Sequence, residues 1–84
     1  MTVTLRLFAA AREAAGRGHD TFDPASTPTV GVLLDAAVMS YGPTFALVLR
    51  NSRVWLNGDE PPGGRAAALS DGDEVAVLPP VSGG

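Results

Sequence analysis

Two glycines, Gly83 and Gly84, close the sequence and carry the chemistry that it most clearly indicates. Glycine has no β-carbon, so its carbonyl carbon is open to attack and its backbone fits a narrow active site. A free carboxylate resists nucleophiles, but an acyl-adenylate made from it reacts readily. The terminal pair therefore predicts a substrate that another enzyme activates, although small residues at a terminus are also typical of plain disorder.

Composition excludes most other kinds of site. The 84 residues suffice for one small domain. The chain has no cysteine and one histidine, His19, which excludes disulfides, thiolate metal sites and multi-histidine metal sites. Asp71, Asp73 and Glu74 lack the spacing of a calcium loop. We therefore expect no bound metal or cofactor.

The charge pattern limits the partners. The net charge is −3 and there is no basic run, which argues against a nucleic-acid partner. All six basic residues are arginine, so no side chain of this sequence can accept an isopeptide bond. Because no segment resembles a signal peptide or a membrane-spanning helix, we expect a cytoplasmic protein without a membrane partner.

The elements that position the tail follow from the spacing of apolar residues. Alternation predicts strands at 2–8, 18–22, 53–57 and 74–78. Helical spacing predicts one main helix, capped by Thr27 or Thr29 and stopped at Gly42-Pro43, with short helical turns over 9–15 and 44–49. The Pro- and Gly-rich residues 59–68 are predicted to form a loop, including Gly63-Gly64.

This order predicts an α+β fold of the β-grasp (ubiquitin-like) architecture. One main helix would cover a mixed sheet of four to five strands, with the first and last strands at its centre. We expect a domain over residues 1–78 and a flexible C-terminal tail over residues 79–84.

Three apolar side chains are predicted to lie outside the core. Phe8, Trp55 and Leu78 point opposite to the core residues of their strands, and in this architecture the three strands are neighbours. They would form one exposed patch beside the tail, as a partner interface does. Arg12, one turn after Phe8, fits either the rim of that patch or an ordinary solvated helix position. Trp55 or Phe8 could instead fold back over the core.

Four stretches carry a resemblance to a known family. They are residues 7–13 (LFAAARE), Thr29-Val30 with Leu33-Leu34, Leu56-Asn57-Gly58, and residues 69–84, in which Gly-Asp-Glu-Val, a short apolar strand, Pro-Pro and Gly-Gly follow at fixed spacing. The last stretch is the most specific. The chain resembles the MoaD family, the small subunits of molybdopterin synthase, which are ubiquitin-like sulfur carriers related to ThiS.

The resemblance implies a reaction cycle at the tail. A MoeB-like adenylating enzyme of the ubiquitin-activating type would use ATP to adenylate Gly84, and a sulfur donor would convert the adenylate into a thiocarboxylate. The tail (Pro79, Pro80, Val81, Ser82, Gly83 and Gly84) would then enter a MoaE-like large subunit, where the sulfur builds the molybdopterin dithiolene. The chain would be a non-catalytic subunit and co-substrate, with the catalytic groups on its partners.

Three other functions stay open at this point. The chain could carry sulfur for the thiamine thiazole or for cysteine synthesis, it could be a ubiquitin-like protein modifier joined through Gly84, or it could be an interaction module with an inert tail. One stretch also departs from the family: Asp59-Glu60-Pro61-Pro62-Gly63-Gly64 stands where relatives continue with a short apolar strand. No partner contacts are therefore assigned to the 59–68 loop.

Overall fold

The first and last strands of the chain lie side by side at the centre of one sheet. The computed structural model describes residues 1–80. Strand β1 (Val3–Leu7) pairs with β2 (His19–Phe22) in antiparallel register, and β3 (Arg53–Leu56) pairs antiparallel with β4 (Glu74–Leu78). Strands β1 and β4 pair in parallel, which gives the order β2-β1-β4-β3. The predicted mixed sheet and its central pair are confirmed, with four strands among the described residues.

Alternation along the two central strands builds the core. Val3, Leu5 and Leu7 of β1 and Val75 and Val77 of β4 are almost completely buried, because successive side chains of a strand point to opposite faces. The helices complete this core from the same side of the sheet with Ala11, Val30, Leu33, Leu34, Ala37 and Phe45, and the loop before β4 adds Ala67 and Leu69. The residues between these positions in the strands are left for the opposite face.

The main helix begins and ends where its capping residues predict. Helix α2 spans Val30–Tyr41, and the hydroxyl of Thr29 accepts a 3.3 Å hydrogen bond from the Val32 amide. This contact satisfies one of the amides that a helix start leaves unpaired. The helix stops at Gly42, immediately before Pro43, as predicted.

The two short helical turns predicted on either side of the main helix are both α-helices. Helix α1 spans Ala9–Ala15, as predicted. The second predicted turn, over 44–49, is instead an eight-residue helix α3, Pro43–Arg50. Pro43 suits the first helical position because its φ is already helical, and the fully buried Phe45 fixes the helix against the core. The sheet is thus covered by α2 together with two shorter helices.

The turn after β3 has the backbone that its sequence predicts. Asn57 and Gly58 have φ values of 53° and 83°, and Leu56 and Asp59 exchange backbone hydrogen bonds of 2.7 and 3.2 Å. Two consecutive left-handed residues define the type I′ turn that Asn-Gly favours. The side chain of Asn57 also donates to Asp73 and accepts from the Glu74 amide, which fastens this turn to the start of β4.

The 59–68 loop, where the sequence departs from the family pattern that it otherwise resembles, packs against the start of α2. Its only regular element in the described structure is a single 3₁₀ turn over Gly64–Ala66. The guanidinium of Arg65 donates to Asp35 at 2.7 Å and to the Gly31 carbonyl at 3.1 Å. A methyl group at Gly31 would lie 3.1 Å from the Arg65 backbone oxygen, so glycine permits this close approach. The loop therefore has a packing role of its own.

A polar cluster ties β2 to the end of α2. The Tyr41 hydroxyl donates a 2.7 Å hydrogen bond to Asp20, which also accepts from Arg17 at 3.1 Å. Partial burial acts to raise the pKa of Asp20, but the hydrogen bonds from Tyr41 and Thr21 and the charge of Arg17 outweigh it and hold the pKa below its usual value. Burial and the Asp20 carboxylate raise the pKa of Tyr41 well above its ordinary value.

We predict that Tyr41→Phe lowers the free energy of unfolding by about 1 kcal/mol near neutral pH, since it removes one hydrogen bond to a charged group and keeps the ring. The lowered pKa of Asp20 stabilises the fold above the unfolded pKa of about 4, and this contribution is lost as the pH falls further. The raised pKa of Tyr41 stabilises the fold below about pH 10. Urea unfolding from pH 2.5 to 10.5 should therefore show that the difference in the free energy of unfolding between the wild type and Tyr41→Phe becomes smaller at both the acidic and the basic end of this range. A difference constant across this range would contradict the assignment.

A strained residue forms the corner between β1 and α1. Ala9 has a φ of 50°, in the left-handed region, directly after the extended Phe8. Non-glycine residues in this region cost roughly 1–2 kcal/mol. The corner lets the chain turn sharply from the sheet into the helix, and it sets the position of Phe8.

We predict that Ala9→Gly leaves the free energy of unfolding unchanged or raises it by up to about 1 kcal/mol, because glycine relieves the strain and offsets its own entropy cost. The matched control is Ala10→Gly, at the next position of α1, which is also exposed but does not have a positive φ and should lose about 1 kcal/mol. Chemical denaturation of both variants measures the contrast. Equal losses at the two positions would refute strain at Ala9.

Candidate functional site

The face of the sheet opposite the helices carries the three side chains singled out from the sequence. In the register, Trp55 lies opposite Ala76, and Arg53 lies opposite Leu78. None of the predicted three, Phe8, Trp55 and Leu78, packs against the core cluster. Phe8 is 42% exposed, whereas Trp55 and Leu78 are half-buried. We call these three residues the outer patch; their role in binding stays a prediction.

Phe8 lies beside the end of β4 because its own backbone continues the parallel ladder. The Phe8 amide donates a 3.2 Å hydrogen bond to the Val77 carbonyl, and the Phe8 carbonyl accepts the first bonds of α1. The residue is therefore held between β4 and the helix start. The tail leaves β4 one residue after Leu78, next to this point.

An apolar cleft of about 270 Å³ opens where the tail leaves the sheet. Its walls come from the β1–α1 corner, the end of α3 and the start of the tail: Phe8, Ala9, Ala10, Ala11, Val48, Asn51, Ser52, Pro79 and Pro80. Phe8 thus belongs to both the outer patch and the cleft.

The α3 side of this cleft was missed from the sequence. The Ser52 hydroxyl and the Asn51 amide both donate to the Val48 carbonyl, at 2.8 and 3.1 Å, and close the end of α3 against the cleft. The i, i+3, i+4 spacing of Phe45, Val48 and Leu49 is the sequence signal for this helix. Extending the predicted helix by one residue, to Arg50, would have placed its end beside the cleft.

Charged side chains surround the outer patch, and most are paired. Arg6 forms a 2.7 Å salt bridge with Glu74, and Arg53 forms a 3.4 Å salt bridge with Glu60. Both pairs are well exposed, so each contributes little to stability. Arg12 has no salt-bridge partner within residues 1–80; its side chain lies along Gly18, in a polar hollow shared with Glu13 and Arg17, and does not line the cleft. The structure therefore places Arg12 at this polar hollow and not in the cleft, and its role in binding stays a prediction.

The acidic residues near β4 serve the turn before that strand. Asp71 accepts from the Thr2 amide at 2.7 Å, and Asp73 accepts from the Ser70 amide at 2.8 Å. His19 is exposed on the edge strand β2. Across residues 1–80 there is no group of three or more potential metal ligands, and no helix is both long and apolar enough to cross a membrane.

Four predicted site residues, Val81, Ser82, Gly83 and Gly84, lie outside the described residues. Of the predicted tail, the structure places Pro79 and Pro80, which are exposed and line the cleft. The division into a domain over 1–78 and a tail over 79–84 stays a prediction.

Comparison with known proteins identifies the family to which the chain belongs. The ThiS family matches residues 5–84. A molybdopterin synthase sulfur carrier subunit from Chlamydomonas reinhardtii is 34% identical over 84 residues, which cover 100% of both chains. Among solved structures, the small archaeal modifier protein SAMP1 from Haloferax volcanii is 33% identical over 100% of both chains, with a TM-score of 0.79.

A more distant structure shares the fold. It comes from a complex of subunits 1 and 2 of the molybdopterin-converting factor of Helicobacter pylori, and it is 23% identical over 100% of both chains, with a TM-score of 0.68. The β-grasp fold, the family match and the full-length relative agree: the chain belongs to the MoaD/ThiS family and is a sulfur carrier of that type.

Proposed function

We propose that this chain is the small subunit of a molybdopterin synthase and carries sulfur as a thiocarboxylate on Gly84. The observation that carries the proposal is the 34% identity with a molybdopterin synthase sulfur carrier subunit, because it covers both chains entirely, tail included. The ThiS match likewise extends to residue 84.

The proposed chemistry has two steps at one carbon atom. A MoeB-like enzyme transfers AMP from ATP to the Gly84 carboxylate and releases pyrophosphate. A donor then supplies sulfur at the oxidation level of sulfide, which attacks the same carbon: the C–S bond of the thiocarboxylate forms, the C–O bond to the phosphate breaks, and AMP departs with the electron pair. Gly83 and Gly84 place no β-carbon near this carbonyl, which keeps both approaches open. ATP belongs to the adenylating enzyme, and the chain itself binds no cofactor in this scheme.

The domain supplies the docking surface in this proposal. The outer patch and the cleft meet at Phe8, beside the point where the tail leaves β4. Aromatic side chains at such exposed apolar sites commonly anchor interfaces. A MoaE-like large subunit is the proposed partner, in line with the Helicobacter pylori protein, which was solved as a complex of two subunits. The MoeB-like enzyme would use the same region in turn.

The length of the tail is compatible with a domain that docks on the partner and a tail end that reacts in the partner's active site. Residues 79–84 span about 20 Å when extended, enough to reach a buried site while the domain stays outside. Pro79 and Pro80 have fixed φ angles. They lower the entropy cost of ordering at the root of the tail, where it amounts to about 1–2 kcal/mol for a flexible residue.

A second function, protein modification, is favoured by the 33% identity with SAMP1. A modifier also needs an adenylated terminal glycine, so the tail does not separate the two functions. Sulfur carriage for thiazole or cysteine synthesis would change only the acceptor. The product on Gly84 distinguishes modifier from carrier, and the acceptor distinguishes the carriers.

Intact mass spectrometry tests the proposal. After co-expression with the adenylating enzyme of its host and a sulfur source, the protein should gain the mass difference between sulfur and oxygen, located on Gly84. Adding the large subunit and the cyclic pterin substrate should then return the tail to the carboxylate as the dithiolene forms. Stable conjugates with other proteins, without a thiocarboxylate, would support the modifier instead.

We predict that Gly83→Ala slows sulfur loading by about 100-fold, because a displaced carbonyl loses the geometry of attack. One added residue after Gly84 should abolish loading of Gly84, since the peptide bond converts its carboxylate into an amide that cannot be adenylated. Both variants should unfold at the temperature of the parent. Met39→Ala, at a side chain 87% exposed on α2, is the matched control and should load normally. Normal loading of the extended variant without trimming would refute the scheme.

We predict that the double variant Phe8→Ala, Leu78→Ala binds the large subunit about 30-fold more weakly, the equivalent of about 2 kcal/mol for a lost anchor. Isothermal titration calorimetry measures the affinity. Leu47→Ala, at a side chain 60% exposed on α3, is the control for a general loss of apolar surface. Unaltered affinity in a folded double variant would exclude the outer patch as the interface.

A further inference from the structure

Asn57 lies in the type I′ turn after β3 and is followed by Gly58, a pair of residues prone to spontaneous loss of the side-chain amide. The glycine nitrogen attacks the side-chain carbonyl carbon of the asparagine, and glycine has no side chain to hinder this attack. The sequence contains one Asn-Gly pair, one other asparagine, Asn51, and no glutamine. Asn57 and Gly58 are both exposed to water. A flexible chain of this sequence is therefore expected to deamidate first at Asn57.

The structure holds the Asn57 side chain against β4. Its amide nitrogen donates a 3.0 Å hydrogen bond to the Asp73 carboxylate, and its oxygen accepts a 2.9 Å hydrogen bond from the Glu74 backbone amide. We call this pair of hydrogen bonds the Asn57–β4 contact. Both ends of the carboxamide are thereby engaged. The other oxygen of Asp73 accepts from the Ser70 amide at 2.8 Å, so the acceptor is held in place as well.

The backbone of the turn also opposes the attack. Ring closure requires the Asn57 β-carbon and the Gly58 nitrogen to be eclipsed about the Cα–C bond. The first central residue of a type I′ turn has a ψ of about 30°, at which that nitrogen lies nearly anti to the β-carbon. The Asn57 amide donates a 2.8 Å hydrogen bond to the Glu74 carbonyl, which holds the residue in this conformation. The reaction therefore requires the turn and the Asn57–β4 contact to open together.

We infer that Asn57 is a deamidation site of this protein, and that the Asn57–β4 contact, through Asp73, sets how fast it reacts. The attacking group is the backbone of the chain itself, so the modification requires no enzyme and no cofactor. Local openings of a folded protein occur at a lower free energy than global unfolding, and they expose such a turn. The inference is independent of any chemistry on Gly84.

The modification proceeds in two steps. The Gly58 nitrogen gives its proton to a base in solution and attacks Cγ, the side-chain carbonyl carbon of Asn57. A C–N bond forms, the bond from Cγ to the amide nitrogen breaks, and ammonia departs with that electron pair and a proton from solvent. Water then opens the cyclic imide at either carbonyl carbon and leaves an aspartate or an isoaspartate at position 57. No oxidant or reductant takes part.

Deamidation would prevent the contact from closing again. The new carboxylate has no hydrogen to donate to Asp73, and two like charges would meet where the 3.0 Å hydrogen bond had been. Like charges that face each other on neighbouring strands are destabilising. Each opening of the turn therefore carries a chance of permanently weakening the junction between β3 and β4.

Peptide mapping of the full chain at mildly alkaline pH measures the reaction. Cleavage after Arg53 separates the two asparagines, and a deamidated peptide gains the mass difference between OH and NH₂. In the chain unfolded by guanidinium, Asn57 should react faster than Asn51. In the folded chain, Asn57 should react about 30-fold more slowly than in the unfolded chain, the equivalent of about 2 kcal/mol. Equal rates for Asn57 in the folded and unfolded chains would overturn the inference.

Two variants of the turn before β4 test the role of Asp73. Asp73→Ala removes the acceptor and should speed deamidation of Asn57 in the folded chain about 10-fold, as expected for the loss of one hydrogen bond to a charged group. The matched control, Asp71→Ala, removes a carboxylate of the same turn that accepts from the Thr2 amide, and it should leave the rate unchanged. The rate at Asn51 shows whether a variant opens globally. Equal acceleration by both variants, or a wild-type rate in folded Asp73→Ala, would overturn the inference.

An exchange of the two side chains keeps the contact testable if Asp73→Ala does not fold. Asn57→Asp reproduces one product of deamidation and should lower the ratio of folded to unfolded protein about 10-fold. The double variant Asn57→Asp, Asp73→Asn interchanges donor and acceptor and should recover most of that loss, since residues in direct contact are not additive. Chemical denaturation measures both effects. A double variant no more stable than Asn57→Asp would contradict a direct contact between the two side chains and overturn the inference.

Discussion

The parallel pairing of β1 with β4 is the constraint on which the rest of the structure depends. It brings the two most apolar strands together at the centre of the sheet, where Val3, Leu5, Leu7, Val75 and Val77 are buried under the helices. Parallel neighbours need a crossover between them, and the chain between β1 and β4 supplies all three helices and both outer strands. The same pairing brings the end of β4 beside the corner after β1. The tail root, Phe8 and the cleft are neighbours for that reason.

The corner at Ala9 shows how the fold maintains this arrangement at a cost. A left-handed alanine is unfavourable, yet it lets the chain leave β1 immediately after Phe8 and enter α1. A more gradual turn would carry Phe8 away from β4 and open the space that α1 and α3 fill beside the tail. Strain of this kind persists where the surrounding packing determines the backbone. Here α1 is fixed by the burial of Ala11 in the core and by its contacts with α3.

Most of the architecture could be predicted from the sequence because its signals are local. Alternation marked β1 and β4, the Thr29 cap and Gly42-Pro43 bounded α2, and Asn57-Gly58 marked a turn whose backbone the structure confirms. The extent of α3 was underestimated because six residues form fewer than two helical turns, and the full helix depends on tertiary packing: Phe45 is buried, and Val48 and Leu49 pack against the core. Long-range features could not be predicted from local sequence signals. The hydrogen bond from Arg65 to the Gly31 carbonyl and the cleft between Ala10 and Val48 both depend on residues far apart in sequence.

The residues of the candidate site likewise differ in how well the sequence predicts their positions. The alternation along each strand was enough to place Phe8, Trp55 and Leu78 away from the core, since each lies one residue out of phase with neighbours that belong to the core or pack against it. Strand parity does not predict the direction of a side chain on a helix, so the place of Arg12 could not be predicted in this way; it lies in a polar hollow and does not line the cleft.

In the proposed function, the domain and the short tail have separate tasks. Affinity for a partner is best supplied by surfaces that are already ordered, because ordering each flexible residue costs about 1–2 kcal/mol on binding. The outer patch and cleft are held by the sheet and helices, so their contacts require little further ordering. The reacting end needs the opposite property, a backbone without side chains that fits a narrow site. Under this proposal, docking of the domain would also bring the tail to the partner's active site, because the outer patch and the cleft lie beside the end of β4 and the fixed φ angles of Pro79 and Pro80 restrict the directions in which the tail can leave the sheet.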